Sequence, residues 1–145
     1  VEQFSKEMAL RWISEINDQE LREQLCKNLL QKLTFADELV GVSTKNSVDY
    51  IRATGYWLFA RLCIIKSETL EKIDTGKLIV DAIVDLKDES LLLRQSALNV
   101  LKYYGRISEE KGYGVLQNVS FLEGSDDPVE KEMLSLLKFE FGLES

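Results

Sequence analysis

The sequence predicts an all-α fold, an α-α superhelix of stacked antiparallel helix pairs, on three observations. Apolar residues recur at spacings of three and four along the chain, with no sustained alternation between hairpin turns. The 145 residues contain one proline, so long helices can run unbroken. Helix-opening strings also repeat. Asn46-Ser47-Val48-Asp49-Tyr50-Ile51-Arg52 laid over Asp88-Glu89-Ser90-Leu91-Leu92-Leu93-Arg94 matches cap, apolar and arginine positions at an offset of 42, and a weaker copy runs from Asp127 to Leu137. An offset within about 40–47 is that of two-helix repeats, each burying its apolar face on the next.

The first helix is expected from Lys6 to Ile16, with Met8, Leu10, Ile13 and Ile16 for its buried side. Asn17 or Asp18 caps a second, which carries Leu21, Leu25, Leu29, Leu30 and Leu33 inward. Thr34 to Lys45 reads as a loop with one helical turn. A long third helix spans Ser47 to Ile65. Ser67-Glu68-Thr69-Leu70 and Asp74-Thr75-Gly76 supply capping and turn chemistry ahead of a helix from Lys77 to Leu86. Ser90 caps the next, which ends near Tyr104 with Gly105 at C′. Ser108 opens a weaker helix to Leu122, interrupted by Gly112 and Gly114. Pro128 at N1 starts the last, which runs to Phe141 before Gly142.

Composition narrows the chemistry. There is no histidine, so Ser-His and Cys-His nucleophiles, His-containing zinc sets and the imidazole pH switch are excluded. Useful titration falls to carboxylates. Lys and Arg number 18 against 25 Asp and Glu, a net charge of −7. With 45% apolar and 30% charged residues the chain belongs to the folded class, and 1–145 reads as a single domain. The longest apolar stretches are split by Arg61 and stop at Lys66, far short of the ~20 residues a membrane span needs. No membrane role is expected. The N-terminus lacks a basic region followed by an apolar one, and the absent initiator Met reads as cropping or processing. Cys26 and Cys63 lie inside helical patterns as buried reduced thiols, which fits a cytoplasmic setting. No Gly-rich phosphate loop, Cys-x-x-Cys pair or calcium loop occurs, so neither a cofactor nor a metal is expected.

The repeat period is that of HEAT and armadillo units. Arg94 stands six residues after Asp88, as Arg52 does after Asn46, which resembles the acid-to-arginine ladder joining neighbouring HEAT units. Packing is the first assignment for both arginines and ligand contact the second.

Three strings, in order and spacing, extend the resemblance. They are Trp12-Ile13-Ser14-Glu15-Ile16-Asn17-Asp18 with Glu23-Gln24-Leu25-Cys26-Lys27-Asn28-Leu29-Leu30, then Asp49 to Leu62, then Ser96 to Arg106. The chain resembles the DNA alkylation repair proteins, the HEAT-like alkylpurine DNA glycosylases, over most of Trp12 to Arg106. The resemblance implies a shallow cleft on a concave face. There aromatic side chains brace the lesion nucleotide, an acid stabilises the oxocarbenium-like sugar and positions water, and an arginine contacts the DNA backbone. Such a division of labour is sound, because a cationic alkylated base already leaves readily and a carboxylate with a phosphate clamp can supply much of the rest.

Carried over, the acid position falls on Glu23, one methylene longer than the family's Asp. The tryptophan four residues earlier falls on Gln19, the arginine on Ala53 and the second tryptophan on Asn99. Arg52, one step from Ala53, is rotated by about 100°. Three positions are lost and the fourth is altered, so the resemblance supports the fold over the activity.

The leading expectation is a HEAT-like binding protein without glycosylase catalysis, taking duplex DNA or a protein on its concave face. One alternative is an active or weakened 3-methyladenine/7-methylguanine DNA glycosylase, with Glu23 catalytic and Arg52 on the phosphate. A second is a protein adaptor with no DNA role, favoured by the acidic charge balance. The residues expected to contact DNA are Arg22, Arg52, Lys102 and Arg106, with Lys27 and Lys45 in the same groove and Trp57, Tyr103 and Tyr104 as its aromatics. The competing reading packs Tyr103 and Tyr104 between repeats, sets Lys102 and Arg106 against a helix C-terminus, and leaves Trp57 in the core.

Overall fold

The computed structural model describes residues 5–141, and its regular structure there is entirely helical. The α-helices are α1 (Lys6–Glu15), α2 (Gln19–Asn28), α3 (Ala36–Ser43), α4 (Asp49–Ile65), α5 (Thr75–Asp85), α6 (Leu91–Gly105), α7 (Glu109–Asn118) and α8 (Pro128–Glu140). Short 3₁₀ turns at Leu30–Lys32, Glu68–Lys72 and Ser120–Leu122 link them. No helix among the described residues is long and apolar enough to cross a membrane.

Caps explain most boundaries. Asp18 rather than Asn17 opens α2, its Oδ1 accepting from the Leu21 amide at 3.0 Å. Ser90 and Ser108 accept from Leu93 and Lys111, each at 3.2 Å, and Asp127 accepts from Val129 at 2.9 Å ahead of Pro128. The repeated loop strings fold alike. Asn46 and Asp88 each accept the amide two residues on at 2.8 Å, at Val48 and Ser90. Arg52 and Arg94 each donate from Nε to the carbonyl six residues back, at 2.9 and 2.6 Å. At Asp127 the amide bond recurs, but Met133 stands where the arginine would be.

Helix α4 is the centre of the core. Nine of its 17 residues are buried, and it packs against α1, α2, α3 and, most extensively, α6. The α5, α7 and α8 helices pack on α6. One contiguous apolar cluster runs from Ala9 to Leu137.

Several expectations are corrected. The stretch expected as a loop holds α3, with Ala36, Leu39, Val40 and Ser43 buried. Its sequence concealed it, because no side chain caps its start and Gly41, Val42 and Ser43 are weak helix formers. Within α4, Gly55 has no room for a Cβ, which would lie 2.9 Å from the Thr44 backbone nitrogen. That close approach lets α3 seat on α4.

The buried side of α1 is Ala9 and Ile13 rather than Met8, which is exposed. In α2 the buried residues are Arg22 and Cys26, while Leu21 is 59% exposed. The expected face is turned by one position because Arg22 Nε finds a buried acceptor, Thr54 Oγ1, at 2.9 Å. That second helix also stops at Asn28, with Leu30 and Leu33 buried from the 3₁₀ turn and its exit.

Helix α7 likewise ends at Asn118 rather than Leu122. Gly105 is the last residue of α6 rather than a left-handed C′, and the Phe141 ring fills the space a Cβ would take. Among the described α-helices the left-handed cap is Lys66, after α4. The expected stop at Gly142 lies outside the described residues.

Candidate functional site

The residue best matched to a catalytic acid, Glu23, is on the exposed side of α2. Its Oε2 accepts from Gln19 Nε2 at 2.8 Å, and Gln19 Oε1 accepts from Arg22 Nη1 at 2.5 Å. The Glu23 carboxylate is open to solvent. No wall of protein therefore excludes water or raises the field around its carboxylate.

Arg22, expected in the groove, is 1% exposed and cannot reach a phosphate on the surface. Besides its bonds to Thr54 and Gln19, its Nη2 is buried without a partner. Burial pulls the guanidinium below its ordinary pKa, opposed by nearby Cys26, Asp49, Asp18 and Glu23. Arg52 is engaged in packing. Its Nη1 lies 2.9 and 3.1 Å from the two oxygens of Asp85 in α5, and Tyr56 donates its hydroxyl to the same carboxylate at 2.5 Å. Burial, then the hydrogen bond to Asp85, pushes the Tyr56 phenol well above its usual value.

Lys102 and Arg106 converge on Glu140 at the end of α8, at 3.5 and 3.6 Å, and both lie over the Tyr103 ring, at 5.1 and 5.6 Å from its centre. Tyr104 stacks on Phe59 with ring centres 6.2 Å apart. Trp57 is half-buried against the core. Lys27 and Lys45 are exposed, on α2 and in the loop after α3. The predicted residues thus do not assemble into one groove. Glu23, Arg22 and Gln19 form a small cluster on α2, whereas Lys102, Tyr103 and Arg106 belong to the junction of α6 with α8.

Asn99, where the family places a tryptophan, buries its amide nitrogen without a partner. Sequence reasoning missed Asp85 and Glu140, the anchors that hold these cations, and Tyr56, which donates to Asp85. Asp85 ends an apolar helix and carried no motif, so its burial had no signal in the sequence.

Cys26 and Cys63 are free and buried, and burial pushes each thiol up to about 12, which leaves them protonated near neutrality. Among the described residues no group of three or more Cys, Asp or Glu side chains is placed to hold a metal ion. Compared with known protein families, curated proteins and solved structures, the chain matches none.

Proposed function

We propose that the chain is a short HEAT-like solenoid, related in fold to the DNA alkylation repair proteins, which lacks glycosylase catalysis and acts as a scaffold for a protein partner. The observation carrying this reading is the engagement of the cations that a DNA site would use. Arg22 is buried, Arg52 is held by Asp85 and Lys102 by Glu140, while Arg106, on the same carboxylate, stands apart from Glu23 at the junction of α6 with α8. A net charge of −7 also works against a phosphate backbone, because DNA affinity comes from cations gathered on one face. The solenoid element draws support from the duplicated turn and arginine geometry at Asn46 and Asp88. Repeat arrays present broad surfaces that bind without chemistry.

Incubation with methylated duplex DNA at about 50 mM salt, where electrostatic binding is strong, tests the reading. The expected result is no 7-methylguanine or 3-methyladenine release above background and no salt-sensitive DNA complex. Release that vanishes in Glu23→Gln would restore the glycosylase, and tight binding of unmodified duplex would restore the DNA scaffold.

A further inference from the structure

Between the C-terminal ends of α4 and α6 lies a cavity of about 410 Å³, bounded by Arg61, Ile64, Lys66, Tyr103, Arg106 and Ile107. Its three charged side chains are all cations. Other cavities mix signs, as where Asp37, Asp74 and Asp81 line one with Lys45, Lys72 and Lys77, or where Arg106 meets Glu109 and Glu140. For a chain carrying −7, this is a local charge reversal.

The reversal exceeds what the helix ends require. Two C-termini carry about half a negative charge each, so they offset about one of the three cations. Glu140 approaches Arg106 only to 3.6 Å and is shared with Lys102. Counting Lys102 together with the Glu140 it shares, four cations less one carboxylate and about one charge of helix ends leave roughly two positive charges. Arg61 is oriented by its Nε, which donates to Gln31 Oε1 at 2.8 Å, and its two terminal nitrogens have no partner among the described residues.

Lys66 holds φ 52° and ψ 50°, a left-handed conformation that glycine adopts more cheaply. Its ammonium has no ion pair among the described residues. A strained lysine kept where glycine would serve the backbone better points to a use for its side chain.

We propose that this cavity binds a phosphate monoester group through Arg61, Lys66 and Arg106. At neutral pH a monoester carries close to two negative charges, matching the surplus, whereas a carboxylate or a backbone diester carries one. Arginine forks fit phosphate oxygens in pairs, and the lysine adds a compact charge. Ile64, Ile107 and Tyr103 offer apolar contact to whatever bears the phosphate. The buried Cys63 at the cavity wall is 2% exposed and supplies no nucleophile. The site stands whether the scaffold's macromolecular partner is a protein or DNA.

The test is a ¹⁵N–¹H titration at fixed ionic strength with inorganic phosphate, O-phosphoserine, and a phosphoserine peptide beside its unphosphorylated form. Saturable shifts at the amides of Arg61, Lys66, Tyr103 and Arg106 are expected with every phosphate probe and absent with acetate. Arg61→Gln and Lys66→Gly should each weaken binding by about tenfold or more. Lys66→Gly keeps the fold, as a raised melting midpoint in the same sample would show, so its loss of affinity reports the side chain. Lys77→Gln, remote from the cavity, should leave binding intact. Peptide binding tighter than O-phosphoserine assigns the phosphate to a modified partner side chain; equal affinities assign it to a small phosphorylated molecule. Shifts that fail to saturate, appear equally with acetate, or survive at full affinity in both variants would overturn the site.

Discussion

Arg52 and Asp85 form a two-oxygen ion pair, at 2.9 and 3.1 Å, that bolts the start of α4 to the end of α5. Asp85 is only 5% exposed, so its charge depends on Arg52 and on the Tyr56 hydroxyl for compensation. Removing one partner of a buried pair strands the other. Asp85→Ala should therefore cost about 3 kcal/mol in urea unfolding, and the double variant with Arg52→Ala should cost less than the sum of the two single changes. Additive costs would show the pair to be inert.

Tyr56 gives the fold an alkaline limit. Its folded pKa is raised above the unfolded value near 10, so its contribution is complete below pH 10 and is lost as pH rises further. Cys26 and Cys63 act in the same direction from about 9 towards about 12. Stability measured by denaturant should hold through neutrality and fall above pH 9. Tyr56→Phe should flatten the part of that fall above pH 10.

The same burial protects the thiols. A pKa moved from 9 to about 12 leaves roughly a thousandfold less thiolate at pH 8, and access is blocked as well. Iodoacetamide should label the native protein at least that much more slowly than the urea-unfolded chain. Comparable rates would mean that the helices bearing these residues open readily.

Two glycine changes should have opposite signs. At Gly114 in α7 nothing lies within 4 Å of an added Cβ, so Gly114→Ala should stabilise by about 0.5–1 kcal/mol through chain entropy alone. At Gly55 the added carbon meets the Thr44 backbone, and Gly55→Ala should destabilise by about 1–3 kcal/mol. Melting midpoints moving together would contradict the α3–α4 contact.

Lys66→Gly should stabilise the fold by about 1 kcal/mol, since a left-handed lysine gives way to the residue suited to that cap. Thermal unfolding reads it directly. A drop in midpoint would show that the lysine side chain itself supports the helix end.

Caps were legible in the sequence wherever a polar side chain does the capping, as at Asp18, Ser90, Ser108 and Asp127. The 42-residue offset was legible too, and the matched bonds of Arg52 and Arg94 bear it out locally. Helix α3 was hidden because tertiary packing on Gly55, rather than propensity or a cap, holds it. The face of α2 was misread because rules for apolar burial have no place for an interior arginine. For the site residues, sequence named the cations but not their partners. Which carboxylate meets Lys102 or Arg52 depends on helices 33 or more positions away. The left-handed cap escaped notice because it fell on a lysine while Gly105 took another role.

The placement of α4 decides how the chain can be shortened. Ends of an array held only by neighbour contacts can be trimmed one unit at a time, but α1, α2 and α3 all rest on α4, so the first half behaves as an indivisible block. Beyond α6 the situation differs, because α7 and α8 rest principally on α6. The C-terminal pair covers the far side of α6, so removing it would bare that helix's apolar face while leaving the contacts among α1 to α4 in place.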